Sequence, residues 1–152
     1  MENILQDIHQ YNNMMTISQV VRFFDKNDKH ITKSMIQNYV RDGILPPPLN
    51  KRYYTHQHLA TLILVDYLKN TFDMTAIKNA LKPLMDETGI SLEIYIGLLS
   101  MAETLATHWR EHAAPLIFDK NNVNTMSLLL LMVHSTDIRS LTLDYAASNQ
   151  KK

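Results

Sequence analysis

Between positions 32 and 55 the chain places the side chains best suited to chemistry, and that chemistry is recognition of a nucleic acid. Lys33, Ser34, Gln37, Asn38 and Arg41 recur at helical spacing on the polar side of an apolar stripe. Glutamine and asparagine amides pair bidentately with adenine, and arginine with guanine, in the DNA major groove. Lys33 and Ser34, at the start of the helix, suit phosphate contacts, helped by the free N–H groups of a helix N-terminus. Lys51, Arg52 and Tyr53 follow as a basic-aromatic tip that fits backbone phosphates. The plain alternative is a solvated helix face and an ordinary surface loop.

These side chains need elements to position them. Thr32 is a good N-cap for a helix whose inner face is Met35, Ile36, Tyr39 and Val40. Gly43 supplies a left-handed residue after the helix, and the prolines at 46–48 forbid its continuation. Tyr53 and Tyr54 fall in a short extended segment. Thr55 then caps a new helix with Leu59, Leu62, Ile63, Val65 and Leu68 as its apolar positions. Upstream, Ile17, Val20, Val21 and Phe24 mark a helix capped by Thr16 or Ser18, and residues 25–30 make a polar turn. Downstream, a helix restarts at Asp73 with Ile77, Leu81 and Leu84 inward, and Pro83 makes its last turn irregular. The order of short helix, braced loop, basic tip and helix is what a winged helix-turn-helix requires.

Gly89 is expected to separate two halves of the chain. Beyond it, a long helix opens at Ser91, and Pro115 with the polar run at 119–124 marks its end. A last helix begins near Thr125 and is apolar nearly all round at positions 128–133. A helix apolar on every side must be buried on every side, against the N-terminal half or against a partner chain. Residues 1–15 are polar and weakly patterned, and are expected to be flexible or to form a short extra helix.

A chain of 152 residues, 45% hydrophobic and 20% charged, can bury a core. It has no cysteine, which excludes disulfides, thiolate zinc sites and a cysteine nucleophile. Neither a signal peptide nor a membrane span is expected, and the compartment that fits is the cytoplasm. The formal net charge is zero, but it is unevenly spread. Residues 22–82 carry ten Lys/Arg against five acids, whereas residues 83–152 carry five against eight. This asymmetry suits a half that faces nucleic acid and a half that faces protein, although surface scatter produces such differences too.

Other constellations carry less. His108 and His112 are spaced as two metal ligands on one helix face, but no third ligand is evident; a polar helix face is the plainer reading. Trp109 with Tyr95, Met101 and Leu105 forms a stripe read as core or dimer interface, with an effector pocket as the alternative. No glycine-rich phosphate loop, Gly-x-Ser-x-Gly or acidic metal cluster occurs. No enzyme activity and no cofactor are therefore expected.

The segment also resembles the N-terminal DNA-binding domain of the MerR family. The run Tyr39-Val40-Arg41-Asp42-Gly43-Ile44-Leu45-Pro46-Pro47 matches the family's recognition-helix ending. The family's wing, Gly-Tyr-Arg-x-Tyr-Ser/Thr, corresponds to Asn50-Lys51-Arg52-Tyr53-Tyr54-Thr55, and its following helices are echoed at 58–69 and 74–81. A bacterial group with a MerR-like N-terminal half, in which Met-Ile-x-Asn-Tyr-Val and Lys-x-Tyr recur, is more similar still. The resemblance covers about residues 16–85. It departs at Gln37 and Asn38, where the family usually has Arg and Tyr, and in a shorter wing. The family's operator sequence and DNA-distorting activation are therefore not carried over. Its metal-sensing cysteines have no counterpart here.

Together, residues and resemblance imply a mostly α protein. A MerR-like winged helix-turn-helix domain with a short two-stranded wing spans 16–85, and two long helices at 90–118 and 123–147 follow. The implied function is a DNA-binding transcriptional regulator acting as a homodimer. Residues 32–42 would enter the major groove of double-stranded DNA, and the region 90–148 would dimerise. Reuse of the fold as a protein-interaction module is the alternative.

Overall fold

The computed structural model describes residue 8 and residues 10–113 and 125–148. The described chain is mostly helical, with one small antiparallel sheet. Two compact units divide at 96/97.

In the first unit, α1 (Ile17–Lys26) starts after Thr16, whose backbone N–H donates to the Gln19 side chain at 2.8 Å. Val20, Phe23 and Phe24 fall on one face at helical spacing and are buried. Phe23 meets Phe24 and Tyr11 edge-on, both at 5.3 Å between ring centroids. Asp28, at φ 55, turns the chain into α2 (Lys33–Arg41), which packs against α1. Thr32 caps α2 by accepting from the Met35 N–H at 3.2 Å, as its sequence position predicts.

The chain then reverses at Gly43 (φ 69), burying Ile44 and Leu45. Residues 49–53 form a tight hairpin in which Leu49 bridges Tyr53. Asn50 and Lys51, at φ 51 and 60, make its tip. Tyr54 continues this segment by bridging Met15 through bonds of 2.8 and 2.9 Å. Thr55 caps α3 (His56–Leu68), whose residues 58–65 are all buried; α3 is the central helix of the unit. Asp73 caps α4 (Met74–Leu81), and at Pro83 the helix end gives way to a 3-10 turn, Lys82–Leu84.

Two expectations change. Residues 8 and 11–15 are not a loose lead-in: Ile8 and Met15 are buried, and Tyr11 packs edge-on against Phe23. Nor does Gly89 lie in a spacer. It starts β2 (Gly89–Ile90), which pairs with β1 (Met85–Asp86) as a second hairpin packed on α3. Hydrogen bonding to α3 outweighs glycine's value as a separator: Ile90 N–H donates to Thr61 Oγ1 at 2.9 Å, and Thr61 Oγ1 donates to the Gln57 carbonyl at 2.9 Å.

From β2 the chain enters α5 (Leu92–His108), which gives way to a π-helical turn at Trp109–Ala113. Tyr95, in its first turns, is wholly buried in the first unit. The second unit contains the rest of α5 and α6 (Thr125–Ser148). The expected helix ends at 114–118 and 123–124 lie outside the described residues. No helix among the described residues is long and apolar enough to cross a membrane.

Candidate nucleic-acid interface

All five polar residues proposed from α2 are exposed: Lys33, Ser34, Gln37, Asn38 and Arg41. At 100° per residue they occupy one arc of roughly 140°, with Ile36 buried on the opposite side. Burial of Ile36 holds this face outward, because rotating α2 would take an isoleucine out of the core at a cost of about 2 kcal/mol. Arg41 is not free. Its Nε donates to Asp42 Oδ1 at 2.9 Å, and the pair is solvent-exposed. Such a pair contributes little to stability, so a stronger anion can take the guanidinium from it.

The second group lies on the 49–53 hairpin. Lys51 and Arg52 are exposed and Tyr53 is half-buried. The Arg52 guanidinium sits over the Tyr53 ring, 5.3 Å from its centroid, which limits how the arginine can point. Asn50 tolerates the left-handed region well and Lys51 less so; the tip places a lysine where glycine would carry no strain.

A buried histidine joins the hairpin arm to α3. His58 Nδ1 accepts from the Thr55 N–H at 3.0 Å, and Nε2 lies 3.2 Å from the Pro47 carbonyl. A carbonyl only accepts and an N–H only donates, so these partners assign the neutral tautomer with its proton on Nε2. Burial pushes the His58 pKa below the ordinary histidine value, opposed in part by the Pro47 bond. Tyr54 packs edge-on against the ring. The loop after α2 and the hairpin are thus pinned to the same helix. His58 is not among the candidates that residue types alone single out; it is core, and the spacing Thr55-x-x-His58, which matches a capping box, was the signal available.

Lys78 was also missed. From α4 its Nζ donates to the Asp42 carbonyl at 2.7 Å, at the end of α2. Nothing in local sequence links positions 36 residues apart.

The N-terminal unit coincides with a family: residues 3–95 match DUF1836, a domain of unknown function. The chain belongs to the DUF1836 family. No curated protein and no solved structure matches the chain. The matched region contains every residue of α2 and of the 49–53 hairpin, and stops within the first turns of α5.

The other candidate groups lie in α5 and the π turn. His108 and His112 stack with centroids 4.3 Å apart and ring planes 18° apart, and His112 Nδ1 donates to the His108 carbonyl at 3.1 Å. Among the described residues, no group of three or more His, Asp or Glu is placed to hold a metal ion. In the stripe read as core or dimer interface, Tyr95 is buried, Trp109 is half-buried, and Met101 and Leu105 are exposed.

Proposed function

We propose that this chain is a DNA-binding transcriptional regulator of the MerR-like winged helix type, acting as a homodimer in the cytoplasm. The observation that carries the reading is the exposed α2 face. Five side chains able to read bases or grip phosphates stand on one arc, held there by a buried isoleucine. The helix α2 would enter the major groove, and the 49–53 hairpin would serve as the wing, with Lys51 and Arg52 on the flanking phosphates. The excess of basic over acidic residues at 22–82 suits that contact.

The second unit supports the dimer. Leu98, Met101, Leu105, Leu129, Met132, Val133, Ile138 and Leu141 are all exposed. At roughly 100 Å² each they leave on the order of 800 Å² of apolar surface per chain, about what each partner contributes to a stable interface. Along α5 the exposed residues Leu98, Met101, Leu105 and His108 follow the alternating three-four spacing of a coiled-coil seam. Several hydroxyls in this unit are already satisfied within their own helices, as in Thr104 to the Ser100 carbonyl (2.9 Å) and Thr136 to that of Met132 (2.9 Å). They can enter an interface without leaving an unpaired donor.

The test is selection of binding sites by the full chain from a random DNA pool, followed by affinities for the selected and a scrambled site. An inverted repeat is the expected outcome. Gln37→Ala and Arg41→Ala should each cost roughly 1–3 kcal/mol on the selected site and relax its sequence requirement. Lys51→Ala should weaken both sites alike and lower the salt slope by about one. Equal losses on both sites for all three variants would sink the groove assignment. No enrichment at low salt by folded protein would favour a protein-interaction module instead.

A further inference from the structure

Lys78 lies outside the segment that presents the candidate DNA-facing groups, yet it touches the end of their helix. Its ammonium donates to the Asp42 carbonyl at 2.7 Å, and Asp42 is the C-cap of α2. Carbonyls at a helix C-terminus lack partners within the helix and carry partial negative charge, so a cation there is favoured. Gly43 follows at φ +69, and a Cβ built on it would lie 3.1 Å from Lys78 Nζ. The amine therefore fills the space behind the reversal that leads from α2 into the hairpin arm. The same reversal is closed by bonds from the Ile44 and Leu45 N–H groups to the Tyr39 carbonyl, at 2.9 and 3.1 Å. Arg41 holds the Asp42 side chain on the exposed side while Lys78 holds its main chain.

We infer that Lys78 is a positioning residue: from α4 it fixes the C-terminal end of α2, and with it the aim of Arg41 and the departure of the hairpin arm. Its functional meaning rests on the DNA reading above; its hold on the helix end does not. A direct phosphate contact by the same ammonium is the competing role.

The experiment uses the full chain carrying Lys78→Met or Lys78→Arg. It combines amide hydrogen exchange of the free protein with affinities for selected and scrambled DNA at several salt concentrations. A positioning role predicts about tenfold faster exchange at Gly43, Ile44 and Leu45 in Lys78→Met, with the α3 amides still protected. It also predicts about a tenfold loss on selected DNA, little on scrambled DNA, and recovery of both readouts by Lys78→Arg. Unchanged exchange in Lys78→Met overturns the inference, as does loss of protection throughout α3. Equal losses on both DNAs with a salt slope lower by one would reassign Lys78 to a phosphate. If the wild type binds no DNA, the proposed function falls, while the exchange comparison still decides whether Lys78 holds α2.

Discussion

His58 makes one residue answer for two segments. Its ring accepts from the Thr55 N–H and donates to the Pro47 carbonyl, which only the neutral Nε2–H form can do. Its pKa is lowered by burial, so the unfolded chain takes up this proton more readily than the folded one. The linkage sign follows: the stability contribution of neutral His58 is complete above the unfolded value, about 6.5, and is lost as pH falls below it towards the lowered folded value. Urea midpoints should therefore fall from pH 6.5 to 5, and His58→Gln should flatten that fall. An equally steep fall in the variant would place the titration elsewhere. The imidazole was legible as a residue but not as a clamp, because the Pro47 carbonyl arrives only when the loop folds back onto α3.

At the scale of elements, two hairpins dock on the helical core by different means. The 49–53 hairpin adds to Met15 through its continuation at Tyr54, and was readable from its prolines and aromatic pair. The 85–90 hairpin was not, because two-residue strands leave no alternation to detect. What makes it is close approach. Gly89 has φ +120, and a Cβ there would overlap Thr61 Oγ1 and come within 2.9 Å of the Gln57 carbonyl. Thr88 and Asp86 complete the dock through Gln57. Backbone amides of the turn hold the exposed Asp86 carboxyl below its usual range, the Thr88 N–H first among the causes. Gly89→Ala should thus cost on the order of 3 kcal/mol, from strained φ and contact together. Thr61→Ala in that background should recover little, because the Gln57 carbonyl is main chain. Chemical denaturation of the two variants measures both effects.

For the whole molecule, the informative feature is how differently the two units treat apolar side chains. The first buries Phe23, Phe24, Ile36, Leu59 and Leu62 completely, or nearly so. In α6, Leu143 is the one half-buried side chain among those described; the rest are exposed. Water does not favour such a surface, and the proposed dimer removes it. Sedimentation of the full chain should show a dimer at micromolar concentration, and Met101→Glu with Leu105→Glu should give monomers whose far-ultraviolet dichroism is nearly unchanged. Monomeric wild type would refute this. So would a doubly substituted chain that stays dimeric through the same helix. Selected DNA should lose affinity in the monomeric variant while a single half-site should not, since only two linked heads read a repeat.

Local sequence already encodes the helices, their caps and the outward face of α2. These follow from periodicity and from side chains acting on their own backbone: Thr32 on Met35, Asp73 on Ala76, Ile36 turned inward. It also determined where the chain must turn, because Gly43 and the prolines act within a few residues. Three contacts emerge only once the chain has folded: His58 with Pro47, Lys78 with Asp42, and Gly89 with Gln57 and Thr61. Each of those contacts joins positions far apart along the chain or across a loop. Local spacing cannot encode them, and the core brings them together only after the helices have packed.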